Sequence, residues 1–289
     1  MSWREVNENG VRGLWITQNE DLKPDLIIYY LHGGGFSMGS AYFYLEFLLA
    51  YVTLLRPYYR NPCAFALEYT LVPDATYPTQ LTETIAGYKY ILSRISGSPK
   101  KAASRICFGG DSAGATLLLS LLLHIADQGS LKLPPPAYAT LISPWPTLTT
   151  HLHKPTSSDF ISPSSLHLYA SQYASTASNP SSQTLSPGIC TSYSLWARAS
   201  PLEGMIVAYG ADEVLAPDIV ALIRVLRESA VSVSVREEAG GIHAWVVASL
   251  FLGQREEDRT KGLNDLVWGI SRNIPHTTFS LAGRVNGAR

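Results

Sequence analysis

Between the short apolar run Arg105-Ile106-Cys107-Phe108 and the leucine-rich stretch from Thr116 to Ile125 stand only Gly109-Gly110-Asp111-Ser112-Ala113-Gly114-Ala115. A strand that passes into a helix through so few small residues has few architectures open to it, and the commonest is a sheet covered by the helices that follow its strands. Gly110 to Gly114 matches Gly-x-Ser-x-Gly. The glycines let the chain turn sharply while the serine side chain stands clear, and the N–H groups of the next helix's first turn face any negative charge that develops there. Taken alone, the pentapeptide also fits a purely structural small-residue turn.

The rest of the chain repeats the strand-then-helix rhythm. Trp3 to Val6 and Val11 to Ile16, joined through Asn9-Gly10, read as a hairpin, because Asn-Gly supplies the positive φ angles of a tight turn. Leu26 to Leu31, Ala64 to Tyr69, Arg105 to Phe108, Ala137 to Ile142, Met205 to Tyr209 and Val231 to Val235 are the further strands. Helices are expected over Phe43 to Leu55, Thr79 to Ile95 and Thr116 to Ile125. This spacing predicts an α/β fold: a mostly parallel eight-stranded sheet with helices on both faces. Residues 146–201, rich in Ser, Thr, Pro and Tyr with a weak helical patch at Ser164 to Tyr173, break the rhythm and read as a cap insertion over the sheet's carboxyl edge. The core is then 1–145 with 202–275, and 276–289 is expected to be a flexible tail.

Composition narrows the partners. A net charge of -1 carries no electrostatic footprint for nucleic acid. The apolar runs Phe47 to Leu55 and Leu117 to Leu123 are too short for an integral membrane segment. Cys63, Cys107 and Cys190 are too few and scattered for a disulfide framework, and Met1 leads into charge rather than a signal-peptide apolar segment, so a cytoplasmic setting is expected. His151 and His153 have no acidic or thiol neighbour at ligand spacing and read as exposed, and no metal or cofactor is expected.

A serine hydroxyl needs a base to take its proton, and that base needs an orienting carboxylate, in chain order serine, acid, histidine. His243, in Gly240-Gly241-Ile242-His243 after the last strand, is the candidate base. Asp212, Glu213 and Asp218 follow the seventh strand and offer the acid. Far upstream, His32-Gly33-Gly34-Gly35-Phe36 follows the third strand, where glycines let backbone N–H groups approach one oxygen. Gly34, Gly35 and Ala113 are the expected oxyanion donors.

In order, HGGGF at His32 to Phe36, Y-x-L-x-P-D at Tyr69 to Asp74, GDSAG at Gly110 to Gly114, SPW at Ser143 to Trp145 and G-x-x-H at Gly240 to His243 resemble the hormone-sensitive-lipase branch of the α/β-hydrolases. The resemblance covers about residues 10 to 250. It implies a serine carboxylesterase acting on a small or medium ester, with deacetylation of a secondary metabolite as one possibility and a small-molecule ester as its partner. It also implies an acid two residues before a leucine and about thirty before the histidine. Glu213 meets both conditions, and Asp212, the alternative, misses each by one. The chain departs from the family in having almost no helical cap before the hairpin, so the cap is expected to be reduced. The pocket over Ser112 is then expected to be open and bounded mainly by residues 146–200, with Trp145 at its rim and Phe36 and Asp111 as further lining. The rival readings on this fold are a non-catalytic small-molecule receptor, as in plant gibberellin receptors that lose the histidine, and an amide hydrolase or lyase using the same triad.

Overall fold

The computed structural model describes residues 1–128, 133–174, 179 and 181–276; most of the expected 276–289 tail lies outside them. Strands β1 (Ser2–Glu8) and β2 (Val11–Thr17) form the expected hairpin, with Asn9 and Gly10 at φ 53° and 78° in its turn. There follow β3 (Leu26–Leu31), α1 (Leu45–Leu55), β4 (Pro62–Leu67), α2 (Thr79–Arg94), α3 (Pro99–Ala103), β5 (Ile106–Asp111), α4 (Ser112–Gln128) and β6 (Tyr138–Ile142). After these come α5 (Pro163–Ala174), α6 (Tyr193–Ala199), β7 (Met205–Gly210), α7 (Ala216–Glu228), β8 (Val233–Glu238), α8 (Trp245–Leu252) and α9 (Glu256–Asn273).

The strands form one eight-stranded sheet in the order β1-β2-β4-β3-β5-β6-β7-β8. β2 runs antiparallel to both of its neighbours, and the pairs from β4 through β8 are parallel. Parallel strands place their carboxyl ends on one edge, where an α/β sheet binds its ligands.

Strand β3, Leu-Ile-Ile-Tyr-Tyr-Leu, is buried at every position because helices cover both faces. Its side chains alternate between the two cores: Ile27, Tyr29 and Leu31 join residues of α2, α4, α6 and α7, whereas Leu26, Ile28 and Tyr30 join α1, α8 and α9. α4 is apolar nearly all round and buried nearly all round. α9 falls outside the elements expected from the sequence; it opens on Glu256-Glu257-Asp258 and buries only one stripe, Leu263, Leu266, Val267 and Ile270.

The segment between β6 and β7 divides in two. Its first part, through α5, lies over the carboxyl edge, with Tyr173 stacked on Phe36 at 3.7 Å between ring centres. Its second part rejoins the helical layer, since α6 packs on α4 and α7 and buries Trp196, whose Nε1 donates to Cys190 O at 3.0 Å. The expected 146–201 insertion therefore covers the edge only in its first half.

The elbow between β5 and α4 crosses β3 at backbone contact. A Cβ on Gly114 would stand 2.0 Å from Leu31 O and 2.6 Å from His32 O, atoms of a sheet that cannot yield. Gly114→Ala is expected to cost about 2–3 kcal/mol, lowering the melting temperature by roughly 5–10 °C for a chain of this size. Thermal denaturation checks it, and an unchanged midpoint would show that the crossing is loose.

Candidate active site

Ser112 sits where β5 hands over to α4, with φ 50°, a left-handed conformation uncommon for a residue with a Cβ. The turn is braced from behind: Thr116 Oγ1 donates to Trp145 O at 2.6 Å and to Ser112 O at 3.2 Å. Thr116 thus ties α4 to the loop after β6.

Glu213 and His243 occupy the loops after β7 and β8, neighbouring strands on the same edge as Ser112. The two loops meet backbone to backbone, with Asp212 N donating to Gly241 O at 3.0 Å. Glu213 is 3% exposed, and its Oε2 lies 3.9 Å from His243 Nδ1. That same oxygen accepts from Ser143 Oγ at 2.6 Å and from Gly210 N at 3.1 Å. Asp212, by contrast, is exposed, and Asp218 accepts from Thr147 N and Oγ1, both at 2.9 Å, which anchors the start of the insertion. Of the three carboxylates after β7, the structure brings Glu213 to the histidine.

Burial sets the charge of this pair. It pushes the Glu213 carboxyl up to about 8, against the opposing pull of the hydrogen bonds from Ser143 and Gly210. It pushes His243 down to about 4, with the Asp159 charge acting in the opposite sense. The imidazole is therefore neutral near pH 7, the form a general base requires. Ser112 Oγ and the His243 ring share no hydrogen bond here, a contact that in such sites tightens with substrate.

Two residues of the site carried no role in the sequence reading. Ser143, with φ 41°, donates to Glu213 and accepts from Ala244 N at 2.9 Å, so one hydroxyl joins the acid to the histidine's loop. It was visible only as the first letter of the SPW motif. Asp159, in the insertion, accepts from His243 N at 3.1 Å and Val214 N at 2.9 Å. Nothing in its Ser- and Pro-rich surroundings signals it.

The glycine loop is held from beneath. Asp111 accepts from Gly33 N at 3.0 Å, Tyr30 OH at 2.9 Å and Tyr44 OH at 2.7 Å, and Tyr69 OH donates to His32 O at 2.7 Å. Gly34 adopts φ 107°, and a Cβ there would meet Met38 O at 2.1 Å; one on Gly35 would meet the Tyr169 ring at 2.7 Å. Among the described residues the N–H groups of Gly34, Gly35 and Ala113 have no acceptor, which leaves them free for an oxyanion.

Several expectations are corrected. Phe36, Asp111 and Trp145, expected to line the pocket, are buried: Phe36 stacks between Trp145 and Tyr173, Asp111 anchors the glycine loop, and Trp145 is 0% exposed rather than at a rim. Ser112 is only 6% exposed, so the serine is recessed rather than openly exposed to water. His153, expected to be exposed, is buried beside Asp218. Among the described residues no helix is long and apolar enough to cross a membrane.

An alpha/beta hydrolase fold family model matches residues 28–247. The chain is 26% identical over 220 residues to an acetyl-hydrolase of Streptomyces hygroscopicus, a match covering 75% of this chain and 67% of that one. It is 36% identical over 102 residues to an acetyl esterase of Salmonella schwarzengrund, covering 35% of this chain and 30% of that protein. In fold it resembles an esterase from the bacterial hormone-sensitive lipase family, with TM-score 0.78, 22% identity and coverage of 95% and 85%. These likenesses agree with the resemblance drawn from the five motifs. With the family match spanning most of its length, the chain belongs to the alpha/beta hydrolases.

Proposed function

We propose that the chain is a serine carboxylesterase that cleaves a short-chain ester of a small molecule through an acyl-enzyme. Ser112 Oγ attacks the ester carbonyl carbon and its proton passes to His243. The N–H groups of Gly34, Gly35 and Ala113 hold the oxyanion, and each such donor is worth about 3 kcal/mol of transition-state stabilisation. Collapse of the tetrahedral intermediate expels the alcohol, protonated by His243. A water deprotonated by the same ring then attacks the acyl carbon and releases the acid and free Ser112. Glu213 holds the imidazole tautomer throughout.

The observation that carries this reading is the buried Glu213 carboxyl 3.9 Å from His243 Nδ1, on the edge where Ser112 stands in its strained turn. The recessed position of Ser112 and the Tyr169 ring over Gly35 favour a short acyl group, in keeping with two relatives named for acetyl groups. That Cys63, Cys107 and Cys190 are free and buried supports a reducing, cytoplasmic setting.

Treatment with diethyl p-nitrophenyl phosphate tests the assignment. Mass spectrometry is expected to find one diethylphosphoryl adduct, on Ser112, with p-nitrophenyl acetate hydrolysis lost in proportion. Unmodified enzyme is expected to cleave the acetate at least tenfold more efficiently than the octanoate. A chain that takes no label and cleaves no ester is a receptor on this fold.

A further inference from the structure

Asp159 reaches both the loop after β7 and the loop after β8. Its Oδ2 accepts from the N–H of Val214, the neighbour of Glu213, at 2.9 Å, and its Oδ1 accepts from the N–H of His243 at 3.1 Å and of Phe160 at 2.9 Å. The same stretch grips Val214 from its other side, with Lys154 N donating to Val214 O at 3.2 Å. Phe160 then lays its ring 5.8 Å from the ring of His243. Neither Val214 N nor His243 N has another acceptor among the described residues, and both residues are buried, so without Asp159 two donors would be stranded. The histidine needs such support because Ala244 beyond it turns left-handed, at φ 52°, and no helix or strand fixes its backbone.

We infer that Asp159 is a positioning residue of the triad: a carboxylate on the β6–β7 insertion that clamps the acid loop and the histidine loop together and so sets the alignment of His243. This rests on the esterase reading above. His243 and Glu213 are the titratable groups its charge reaches, favouring the protonated form of each. The segment that carries Asp159 continues into α5, whose Tyr169 stands over Gly35. One stretch of insertion thus touches both the base and the oxyanion loop, so a substrate that displaces α5 pulls on the histidine.

Asp159→Asn keeps one acceptor oxygen and removes the second together with the charge; Asp159→Ala removes both, and Asp159→Glu restores the charge. Turnover of p-nitrophenyl acetate is normalised to the Ser112 sites that take the organophosphate, and the His243 ring is titrated by NMR. For Asp159→Asn, kcat per labelled site is expected to fall roughly 10- to 100-fold, the penalty of a misplaced catalytic group, with KM within about threefold. His243 and the acid limb of kcat/KM are expected to titrate at lower pH, because the charge that favours imidazolium is gone. Asp159→Glu is expected to recover part of both effects. A purely structural role would lower the melting temperature while leaving kcat per site and the His243 titration where they were, and that result overturns the proposal even if Asp159→Ala fails to fold. A wild-type chain that takes no label and turns over no ester fails the esterase reading instead, and His243 titrating unchanged in Asp159→Asn then overturns the clamp separately.

Discussion

Ser112→Ala is expected to lower kcat/KM for p-nitrophenyl acetate by about 10⁴- to 10⁶-fold, the range seen when a serine hydrolase loses its nucleophile, while leaving the fold in place. Among the described residues the hydroxyl forms no hydrogen bond, so its removal strands no partner among them. Alanine tolerates the left-handed turn about as poorly as serine does, so the backbone strain at φ 50° is common to both proteins. The melting temperature is therefore expected to stay within about 2 °C, consistent with a substitution that touches no cap, cavity or buried pair. Steady-state kinetics with parallel thermal denaturation check this. Activity within tenfold of wild type would remove Ser112 from the chemistry.

The second large effect belongs to Glu213. Glu213→Gln keeps the shape and still accepts from Ser143 and Gly210, but it never ionises, so at pH 9, above the titration of the Glu213 carboxyl, it cannot stabilise an imidazolium and kcat is expected to fall by about 10³-fold or more. Asp212→Asn, on an exposed side chain, is expected to change kcat less than threefold. Glu213 also predicts a stability change of definite sign. Its carboxyl is raised from 4.5 to about 8 in the folded chain, so the folded state holds this proton more tightly than the unfolded one. The resulting stability is complete below pH 4.5 and is lost as pH rises through about 8. Glu213→Gln, which has no proton to lose, is therefore expected to match wild type near pH 4 and to melt higher at pH 9, by about 3 °C or more. Melting curves across pH for both variants decide the matter. If Asp212→Asn is the variant that loses turnover, the acid has been misassigned.

Much of this was legible because it is written in backbone constraints. The elbow needs small residues at Gly110 and Gly114, where a Cβ would strike the Leu31 carbonyl, and the glycine loop needs Gly34 at positive φ. Such demands are local, so the letters disclose them. The preference for Glu213 over Asp212 came from the family resemblance, which implies an acid two residues before a leucine and about thirty before the histidine, and the alternation of β3 between two cores came from burial on both faces.

What stayed hidden depends on the path of the insertion. Residues 146–201 have no strong periodicity, so nothing in their order says that Tyr173 will stack on Phe36 and seal Trp145 from solvent, or that Asp159 will reach His243. Phe36, Asp111 and Trp145 flank catalytic motifs, and adjacency in the chain suggested contact with substrate. Their side chains are buried instead, Asp111 against the glycine loop and Phe36 against Tyr173 and Trp145. Ser143 was overlooked because serine at a strand end is ordinary. Only the proximity of Ala244 and Glu213 makes it a bridge.

The anchoring of the glycine loop has a consequence for how such an enzyme can diversify. On its sheet side that loop is fastened by Asp111, with Tyr30 and Tyr44, and by Tyr69 on His32. On the opposite side Gly35 meets Tyr169, a residue of α5 that takes no part in those fastenings. The loop is thus gripped from the sheet by one set of residues and met by α5 through another, with Tyr173 on Phe36 as the contact that couples the two. Under the proposed esterase reading, substitutions at Tyr169 can change which acids are released while the sheet-side fastenings keep their places, whereas substitutions at Tyr173, stacked on Phe36, disturb the loop itself.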